Sequence, residues 1–461
     1  MKVLLIKPCS DFPTRIPPLG LGYLAAALRA AGHEPRVLDG PRQGLDRKAV
    51  AEILATWKPD VAGFQTFTAD LPVIRDLCAD ARRALPGVVL VLGGPHPSCL
   101  PEHCFRYIPE IDYVFLGEAE RSLVRLADGL AAGDLDPAAV PGLAWREGGA
   151  VRTNPPAWEK DLDALGLPAW DLIPPDRKNL SPHGAFVRRL PVAPLVTTRG
   201  CPFPCTFCAA RKISGKPVRK RSVEGILGEI RHLKEAYGVR EIHVEDDNFT
   251  FHRDFAEAFC QGLLDARLDV AWCCPNGIRL DTLDEDLVRL MRRSGCYSVA
   301  VGIESGADRV LRLIRKQLDT REIRERLQLL HRAGIKTTGF FIIGLPGETE
   351  AEIRETVRFA RSLPLNRAQF STYLPLPGTD DFDAWIAGRD LDTVDWTQFY
   401  TTEVVYAPEG ITLARMRKLQ SKAFLSFYLR PRILWGILRE VRSPRHFRHL
   451  LGRAAAVFRK G

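Results

Sequence analysis

Thr198-Arg199-Gly200-Cys201-Pro202-Phe203-Pro204-Cys205-Thr206-Phe207-Cys208 lies near the middle of the chain, and the rest is read outward from it. It carries three thiols at the spacing Cys-x3-Cys-x2-Cys, in a turn rich in Gly and Pro directly after the apolar run Pro191 to Thr197. Thiols this close on a tight turn can converge on one metal centre. Thiolates are the usual ligands of iron-sulfur clusters, and a [4Fe-4S] cube normally takes four. Three ligands would leave one iron open to another group. Zinc would need a fourth Cys or His at short spacing, and the next histidine after Cys208 is His232. The spacing therefore favours a cluster over a zinc knuckle or three unrelated thiols.

Beyond this loop, strands and helices alternate. Strands are expected at 194–197, 241–245, 270–274, 298–303, 338–343 and 368–373, with helices over 223–237, 254–266, 285–294, 320–333 and 350–362. Such units fit a partial (β/α)6 barrel, whose chemistry gathers at the C-terminal strand ends. Those ends carry Glu245-Asp246-Asp247-Asn248, Gly302-Ile303-Glu304-Ser305-Gly306 and Gly344-Leu345-Pro346-Gly347-Glu348. Each also has a plain structural reading as a strand-end turn or helix N-cap, and Glu348 suits a first helical turn. Asn276 to Arg279, Arg315-Lys316 and Thr372-Tyr373 fall near the same ends. Cys260, Cys273, Cys274 and Cys296 share no iron-sulfur spacing and read as isolated thiols.

Before the loop a second alternation runs from the N-terminus. Lys2-Val-Leu-Leu-Ile6 carries the continuous apolar run of a buried parallel strand. Helices over 20–31, 48–57, 71–85 and 119–130 then alternate with strands over 35–39, 61–66, 88–92 and 113–116. This order predicts a doubly wound parallel, Rossmann-like sheet with ligand loops at its carboxyl strand ends. The loops are Pro8 to Pro18, Gln65-Thr66 to Asp70, Gly93-Gly94-Pro95-His96-Pro97-Ser98 and Gly117-Glu118. The chain thus divides into 1–135, a linker over 136–190, 191–380 and a mostly helical region over 381–461. In the linker, Pro141 to Thr153 suggests a hairpin turning at Gly148-Gly149, and Leu167 to Pro175 reads as extended.

Trp385, Trp396 and Phe399 are expected to cap the barrel mouth, and 413–438 reads as helix interrupted at Pro431. The net charge is +9. Residues 421–461 hold ten Lys/Arg against Glu440 alone, so the other 420 residues are neutral and the basic character belongs to the tail. With Leu450, Leu451, Val457 and Phe458 interleaved, such a tail can lie on an anionic membrane surface, and a solvated helical tail is the equal alternative. No recognised RNA-binding module accompanies the charge, so no nucleic-acid partner is expected. Hydrophobic content of 46% and charged content of 26% are ordinary for a globular protein. No signal peptide or membrane span is read, so a cytoplasmic location is expected, where eleven cysteines argue for metal and reduced thiols.

The cysteine stretch resembles the cluster-binding loop of the radical S-adenosylmethionine (SAM) superfamily, with Phe207 at that motif's aromatic position. The N-terminal segment is similar to the cobalamin-binding domain of the B12-dependent members, in its helix start Pro17 to Ala25 and its Gly93-Gly94-Pro95-His96-x-Ser98 loop. The resemblance implies a [4Fe-4S] cluster on Cys201, Cys205 and Cys208, SAM chelated to the open iron, and cobalamin. It places Phe207, Glu245, Asp246, Glu304, Gly344 and Glu348 around SAM. The carboxylates of Glu245, Asp246 and Asp247 would serve its ammonium, Glu304 its ribose, and the Gly344–Glu348 segment its adenine. Asn276 to Arg279, Arg315-Lys316 and Thr372-Tyr373 would line the substrate side or bind the SAM carboxylate, a surface salt bridge being the plain reading of such Arg and Lys. It places Gln65, Thr66, Gly93, Gly94, Ser98, Gly117 and Glu118 around cobalamin, glycines letting the backbone approach a flat macrocycle.

One departure matters. The better-known B12 domains carry Asp-x-His-x-x-Gly after the first strand, whose His coordinates cobalt, whereas Pro8-Cys9-Ser10-Asp11-Phe12-Pro13-Thr14-Arg15 has no His. Cys9 reads instead as a small buried thiol, and His96 as a hydrogen-bonding group for the cofactor or its own loop. The implied activity is methyl transfer to an unactivated carbon or, less often, phosphorus, after hydrogen abstraction by a 5′-deoxyadenosyl radical. A ring contraction, cyclisation or oxidation with the same cofactors stays open, as does a non-catalytic cobalamin sensor. A methylthiolating enzyme would bring further cluster cysteines at motif spacing. The implied partners are a small-molecule or lipid-like substrate and an electron donor such as flavodoxin or ferredoxin.

Overall fold

Val3, Leu4, Leu5 and Ile6 are each at most 2% exposed, because the strand they form, β1 (Lys2–Lys7), runs inside a sheet covered on both faces. A strand so placed has no polar side. The structure, a computed structural model, describes residues 1–9, 16–175, 177, 187–400 and 403–441. β1 is joined by β2 (Glu34–Asp39), β3 (Val61–Gln65), β4 (Val89–Gly93), β5 (Tyr113–Phe115), β6 (Leu143–Glu147) and β7 (Ala150–Thr153), in the order β2-β1-β3-β4-β5-β6-β7. The first five pair in parallel and the order reverses between β1 and β3, which opens a crevice at the carboxyl ends. Helices Leu19–Ala30 and Glu120–Ala132 cover one face, Arg47–Trp57 and Leu71–Ala84 the other.

The 141–153 hairpin, expected in a linker, pairs antiparallel with β5 and extends the first sheet to Thr153. The segment expected to be an extended linker is also packed. Trp170 and Ile173 are buried beside helix Leu19–Ala30, and a Cβ on Gly22 would come within 2.4 Å of Ile173 Cδ1. Gly22 therefore makes room for this segment, not for a macrocycle.

The second sheet is six-stranded and wholly parallel, in the order β8 (Val192–Leu195), β11 (Glu241–Val244), β12 (Ala271–Ile278), β13 (Cys296–Glu304), β14 (Lys336–Ile343) and β15 (Arg367–Thr372). Between β8 and β11 lies a short ribbon of β9 (Thr198–Arg199) and β10 (Arg219–Lys220). Four of the covering helices start on side-chain caps that accept a backbone N–H three residues on: Ser222 for Val223–Tyr237, Asp284 for Glu285–Arg293, Asp319 for Thr320–Arg332 and Thr349 for Glu350–Ser362. One apolar core runs from Val3 and Leu5 through Trp170 and Ile173 to Leu195 and the barrel helices.

Trp396 and Phe399 do not cap the barrel. They pack with Leu4, Ile6, Leu71 and Ile74 on the far face of the first sheet, with Trp385 at the edge of the same cluster. Indole and phenyl area is buried there beside helix Leu71–Ala84. Helix Leu413–Tyr428 lies over β15, and helix Pro431–Leu438 restarts with Pro431 in its first turn. The basic residues 442–461 lie outside the described residues. Among the described residues no helix is long and apolar enough to cross a membrane.

Candidate active site

The strand entering the cysteine turn is anchored before the turn begins. Asp246, fully buried, accepts hydrogen bonds from the Thr197 amide at 2.7 Å, from the Thr198 hydroxyl at 2.8 Å, and from the Thr197 hydroxyl. Burial pushes its pKa up to about 6 in spite of these donors. Gly200 has φ 103°, and a Cβ there would lie 2.2 Å from the Pro217 carbonyl oxygen, so no larger residue fits. Beyond it the Cys201 amide donates to Gly215 O at 3.1 Å and the Cys208 amide to Cys205 O at 3.2 Å. Cys201 and Cys205 are half-buried and Cys208 is exposed. Burial raises the pKa of Cys201 and Cys205, so metal binding there must displace protons. Phe207 packs against the main core. Phe203 lies under the Arg279 guanidinium at 3.6 Å, and Arg279 in turn donates to the Lys316 carbonyl at 3.0 Å.

The strand ends divide into supports and open positions. Asp246, expected at the SAM ammonium, is a support: its carboxylate is spent on Thr197 and Thr198. Glu304 ends β13 at φ 64°, an uncommon conformation for a side-chain-bearing residue, and pairs with Lys316 Nζ at 2.8 Å in a buried position. Both charges act on Cys205. Glu348 turns back on its own loop, accepting from the Gly344 and Leu345 amides at 2.6 and 3.0 Å, and burial pushes its pKa up to about 7. It therefore shapes the β14 exit loop.

The carboxyl ends of both sheets line one cavity of about 320 Å³. Gln65, Gly93, Gly94, Gly117 and Glu118 reach it from the first sheet, Tyr23 from the helix beside it, and Thr198, Arg199, Glu245 and Asp247 from the second. Two residues expected at the ligand lie behind this wall. The Thr66 hydroxyl donates to Phe64 O at 3.1 Å, and the Ser98 hydroxyl donates to Gly94 O at 2.7 Å while accepting from the Gly117 amide at 2.9 Å, stitching the two glycine loops together. Gly94 has φ 118°, and a Cβ would meet Thr66 O at 2.9 Å.

Glu118 joins the first sheet to the β9–β10 ribbon beside the second. Its oxygens accept two 2.8 Å hydrogen bonds from Arg219, its Oε2 accepts the Glu159 amide at 3.0 Å, and Arg199 stands 3.3 Å away. Burial works against its charge, but the Arg219 hydrogen bonds and the Arg199 and Arg219 charges outweigh it and hold its pKa below the ordinary value. Arg199 also pairs with Glu120 at 2.9 Å and covers the Tyr23 ring at 5.0 Å. His96 faces the opposite core: its ring nitrogens meet Thr68 Oγ1 at 3.2 Å and His103 Nδ1 at 3.1 Å, and burial pushes its pKa down to about 3. Cys9, read as buried, is exposed, and the rest of its loop, 10–15, lies outside the described residues.

Residues 195–360 match the radical SAM superfamily and residues 9–127 the B12 binding domain. Over 441 residues the chain is 33% identical to an uncharacterized methyltransferase of Pyrococcus horikoshii, covering 94% of each. It belongs to the cobalamin-dependent radical SAM enzymes. This radical SAM enzyme is also 31% identical over 436 residues to the cytidylyl-2-hydroxyethylphosphonate methyltransferase of Streptomyces wedmorensis (82% of this chain, 80% of the relative). It is 27% identical over 446 residues to the anaerobic magnesium-protoporphyrin IX monomethyl ester cyclase of Rubrivivax gelatinosus (93% and 79%). Its fold is that of the cobalamin-dependent radical enzyme OxsB, solved with aqua-cobalamin and SAM (TM-score 0.75, 17% identity, 98% and 70% covered). It is also that of the methyltransferase TsrM from Kitasatospora setae, solved with cobalamin and a [4Fe-4S] cluster (0.69, 20%, 92% and 85%).

The cofactors of this radical SAM enzyme are a [4Fe-4S] cluster, SAM and cobalamin, and the residues present fit them. Three thiols on one rigid turn are the donor set an iron-sulfur cluster takes. Gln65 Oε1 is buried at the cavity with no partner among the described residues, an acceptor that a bound ligand would satisfy. Tyr23 and Arg199 were not singled out from the sequence as SAM or cobalamin contacts, whereas Asp247 belongs to the strand-end carboxylates expected at SAM and Lys316 to the residues expected at the substrate side or the SAM carboxylate. Tyr23 and Arg199 stand inside quoted motifs, but only the fold shows that they meet.

Proposed function

We propose that this enzyme transfers a methyl group to an unactivated carbon, or to phosphorus, of a small-molecule or lipid-like substrate, with a flavodoxin or ferredoxin as electron donor. The observation that carries this reading is the shared cavity, in which Gln65, Gly93 and Gly117 of one sheet and Thr198, Glu245 and Asp247 of the other address one space. Methyl transfer is named for the Pyrococcus and Streptomyces relatives, which supports it. In this reading Cys201, Cys205 and Cys208 hold the cluster, Glu304 and Lys316 border it, and Gln65, Gly93, Gly94 and Gly117 receive cobalamin. Once bound, these groups supply a hydrogen-abstracting radical and a methyl group.

The chain's own part is placement and exclusion of water. Leu5, Leu21, Val91 and Phe115 give the cavity apolar walls, which protect reactive species from solvent. Glu118 with Arg199 and Arg219 holds the two strand edges at one spacing. Asp247, whose pKa burial raises, is among the residues lining the cavity.

The cyclase relative makes a reaction without methyl transfer the alternative to separate. Reconstituted enzyme would be given SAM with a deuterated methyl group and extracts of small metabolites and lipids. Methyl transfer yields S-adenosylhomocysteine and 5′-deoxyadenosine together, plus a product carrying the label. Substrate-dependent 5′-deoxyadenosine with an unlabelled product and no S-adenosylhomocysteine would sink the methyltransferase reading.

A further inference from the structure

We propose a second metal site, at the end of the barrel opposite the cysteine turn, in which Glu241, His243 and Cys273 bind a divalent cation of the zinc class with the Tyr297 hydroxyl as fourth donor. Glu241 and His243 are two apart on β11 and so project from the same side of the sheet, while Ile242 and Val244 between and beyond them join the apolar core. Cys273 is the register partner of His243 on the next strand. Where Trp272 pairs with Cys296 but Cys273 pairs with Ser298, β13 carries one extra residue, Tyr297, and such a bulge re-aims a side chain. Its hydroxyl donates to Glu241 Oε1 at 2.6 Å.

One donor atom from each of Glu241, His243 and Cys273 lies within 4.8 Å of the others, and the three residues are 0%, 1% and 4% exposed. His243 Nε2 is already 2.9 Å from Glu241 Oε1. Around tetrahedral zinc, ligand atoms stand about 3.3–3.6 Å apart, so the widest donor separation needs to close by at most about 1.5 Å. The carboxylate is pre-oriented: Glu241 Oε2 accepts the amides of Arg188 and Arg189 at 2.7 and 2.6 Å, which leaves Oε1 directed at His243 and Tyr297.

The donor chemistry selects the cation. One sulfur and one imidazole nitrogen beside a carboxylate suit zinc and exclude the all-oxygen preferences of magnesium and calcium. A Cys thiolate and a Glu carboxylate also neutralise a 2+ ion, as burial requires, the thiol proton leaving to solvent on binding. With every donor from the protein the site is closed, hence structural. It lies at the N-terminal strand ends, the barrel face that serves stability and not chemistry. There it would tie the 188–189 segment, through which the chain enters the barrel, to β11, β12 and β13.

The test uses untagged full-length protein with Cys201, Cys205 and Cys208 changed to Ala, so that the cluster thiols cannot compete. After chelator treatment, exposure to zinc and dialysis, mass spectrometry of metals should find about one zinc per chain, and zinc should raise the melting temperature where magnesium does not. Adding Cys273→Ser or His243→Phe should abolish both effects. Should these variants fail to fold, cobalt(II) loading of the triple variant decides alone, since a thiolate-to-cobalt charge-transfer band must appear. Background zinc in the folded triple variant, zinc unchanged by folded Cys273→Ser, or no cobalt-thiolate band would overturn the proposal.

Discussion

Replacing Glu118 by Gln removes the carboxylate that meets both Arg199 and Arg219 while keeping its shape. Glu118, Arg219 and Arg199 have side chains only 10%, 8% and 15% exposed, so solvent screens their interaction weakly. Two unit charges 4 Å apart at an effective dielectric near 20 attract by about 4 kcal/mol, before desolvation is counted. Removing one partner of a buried pair costs about 3–5 kcal/mol, because the other charge stays buried without compensation. Arg199 keeps Glu120 at 2.9 Å, and Arg219 keeps the Glu159 and Ser214 carbonyls at 2.7 Å each, so the low end applies. About 3 kcal/mol is a change of roughly 150-fold in the equilibrium for docking the two sheets, at 1.4 kcal/mol per tenfold. For a cooperative unit of 150–250 residues it lowers the melting temperature by roughly 6–12 °C.

The pH dependence has a definite sign. The folded pKa of Glu118 is depressed, so its contribution is present above the ordinary carboxylate pKa and is lost as pH falls through the folded value. The Gln variant, with no proton to take up, should lack that acid-side loss. Calorimetry from neutral to acid pH and cobalamin binding by equilibrium dialysis would be run on both proteins, with iron content as the control. Wild-type melting and wild-type cobalamin affinity in Glu118→Gln would refute the reasoning.

Cys201, Cys205 and Cys208 changed together to Ala should abolish iron binding and leave cobalamin bound more weakly, by iron analysis and dialysis, with the circular dichroism spectrum unchanged. Gly94→Ala places a Cβ against Thr66 O at a φ of 118°; a strain cost of about 1–3 kcal/mol and weakened cobalamin binding are expected, with iron retention intact. Glu348 has a folded pKa near 7, raised by burial, so its contribution to stability falls as pH rises from the ordinary carboxylate value toward 7. Denaturant titrations across that window should show this slope in wild type and its absence in Glu348→Gln.

Much of the fold was legible because the decisive signals are local. Buried parallel strands have no polar face, so Val3 to Ile6 reads as one, and side-chain caps such as Ser222 and Asp284 mark helix starts in the sequence itself. The cysteine turn was legible for the same reason, since its spacing and Gly200 are local facts. What escaped depends on where distant residues meet. Asp246 and Glu245 are neighbours at one strand end, yet alternation sends Asp246 back to Thr197 and leaves Glu245 at the cavity. Trp396 and Phe399 carry no mark of which sheet they will cover, and the hairpin at 143–153 announces its turn but not the strand it joins.

The ion pairs at Glu118 also bear on how the two cofactor sites communicate. Arg199 lies two residues before Cys201, Glu118 follows directly on Gly117 of the shared cavity wall, and the two residues meet at 3.3 Å. Anything that orders the cysteine turn therefore orders Arg199, and through Glu118 it orders Gly117, whose amide is already held by Ser98. With the cluster and cobalamin seated as proposed, binding in either site would relieve part of the ordering cost in the other, and such linkage is reciprocal: the factor by which the cluster tightens cobalamin is the factor by which cobalamin tightens the cluster. Couplings of this kind run to about 1–3 kcal/mol, or 5–150-fold. That is why the triple cysteine variant is expected to hold cobalamin more weakly although none of its three changes lines the shared cavity.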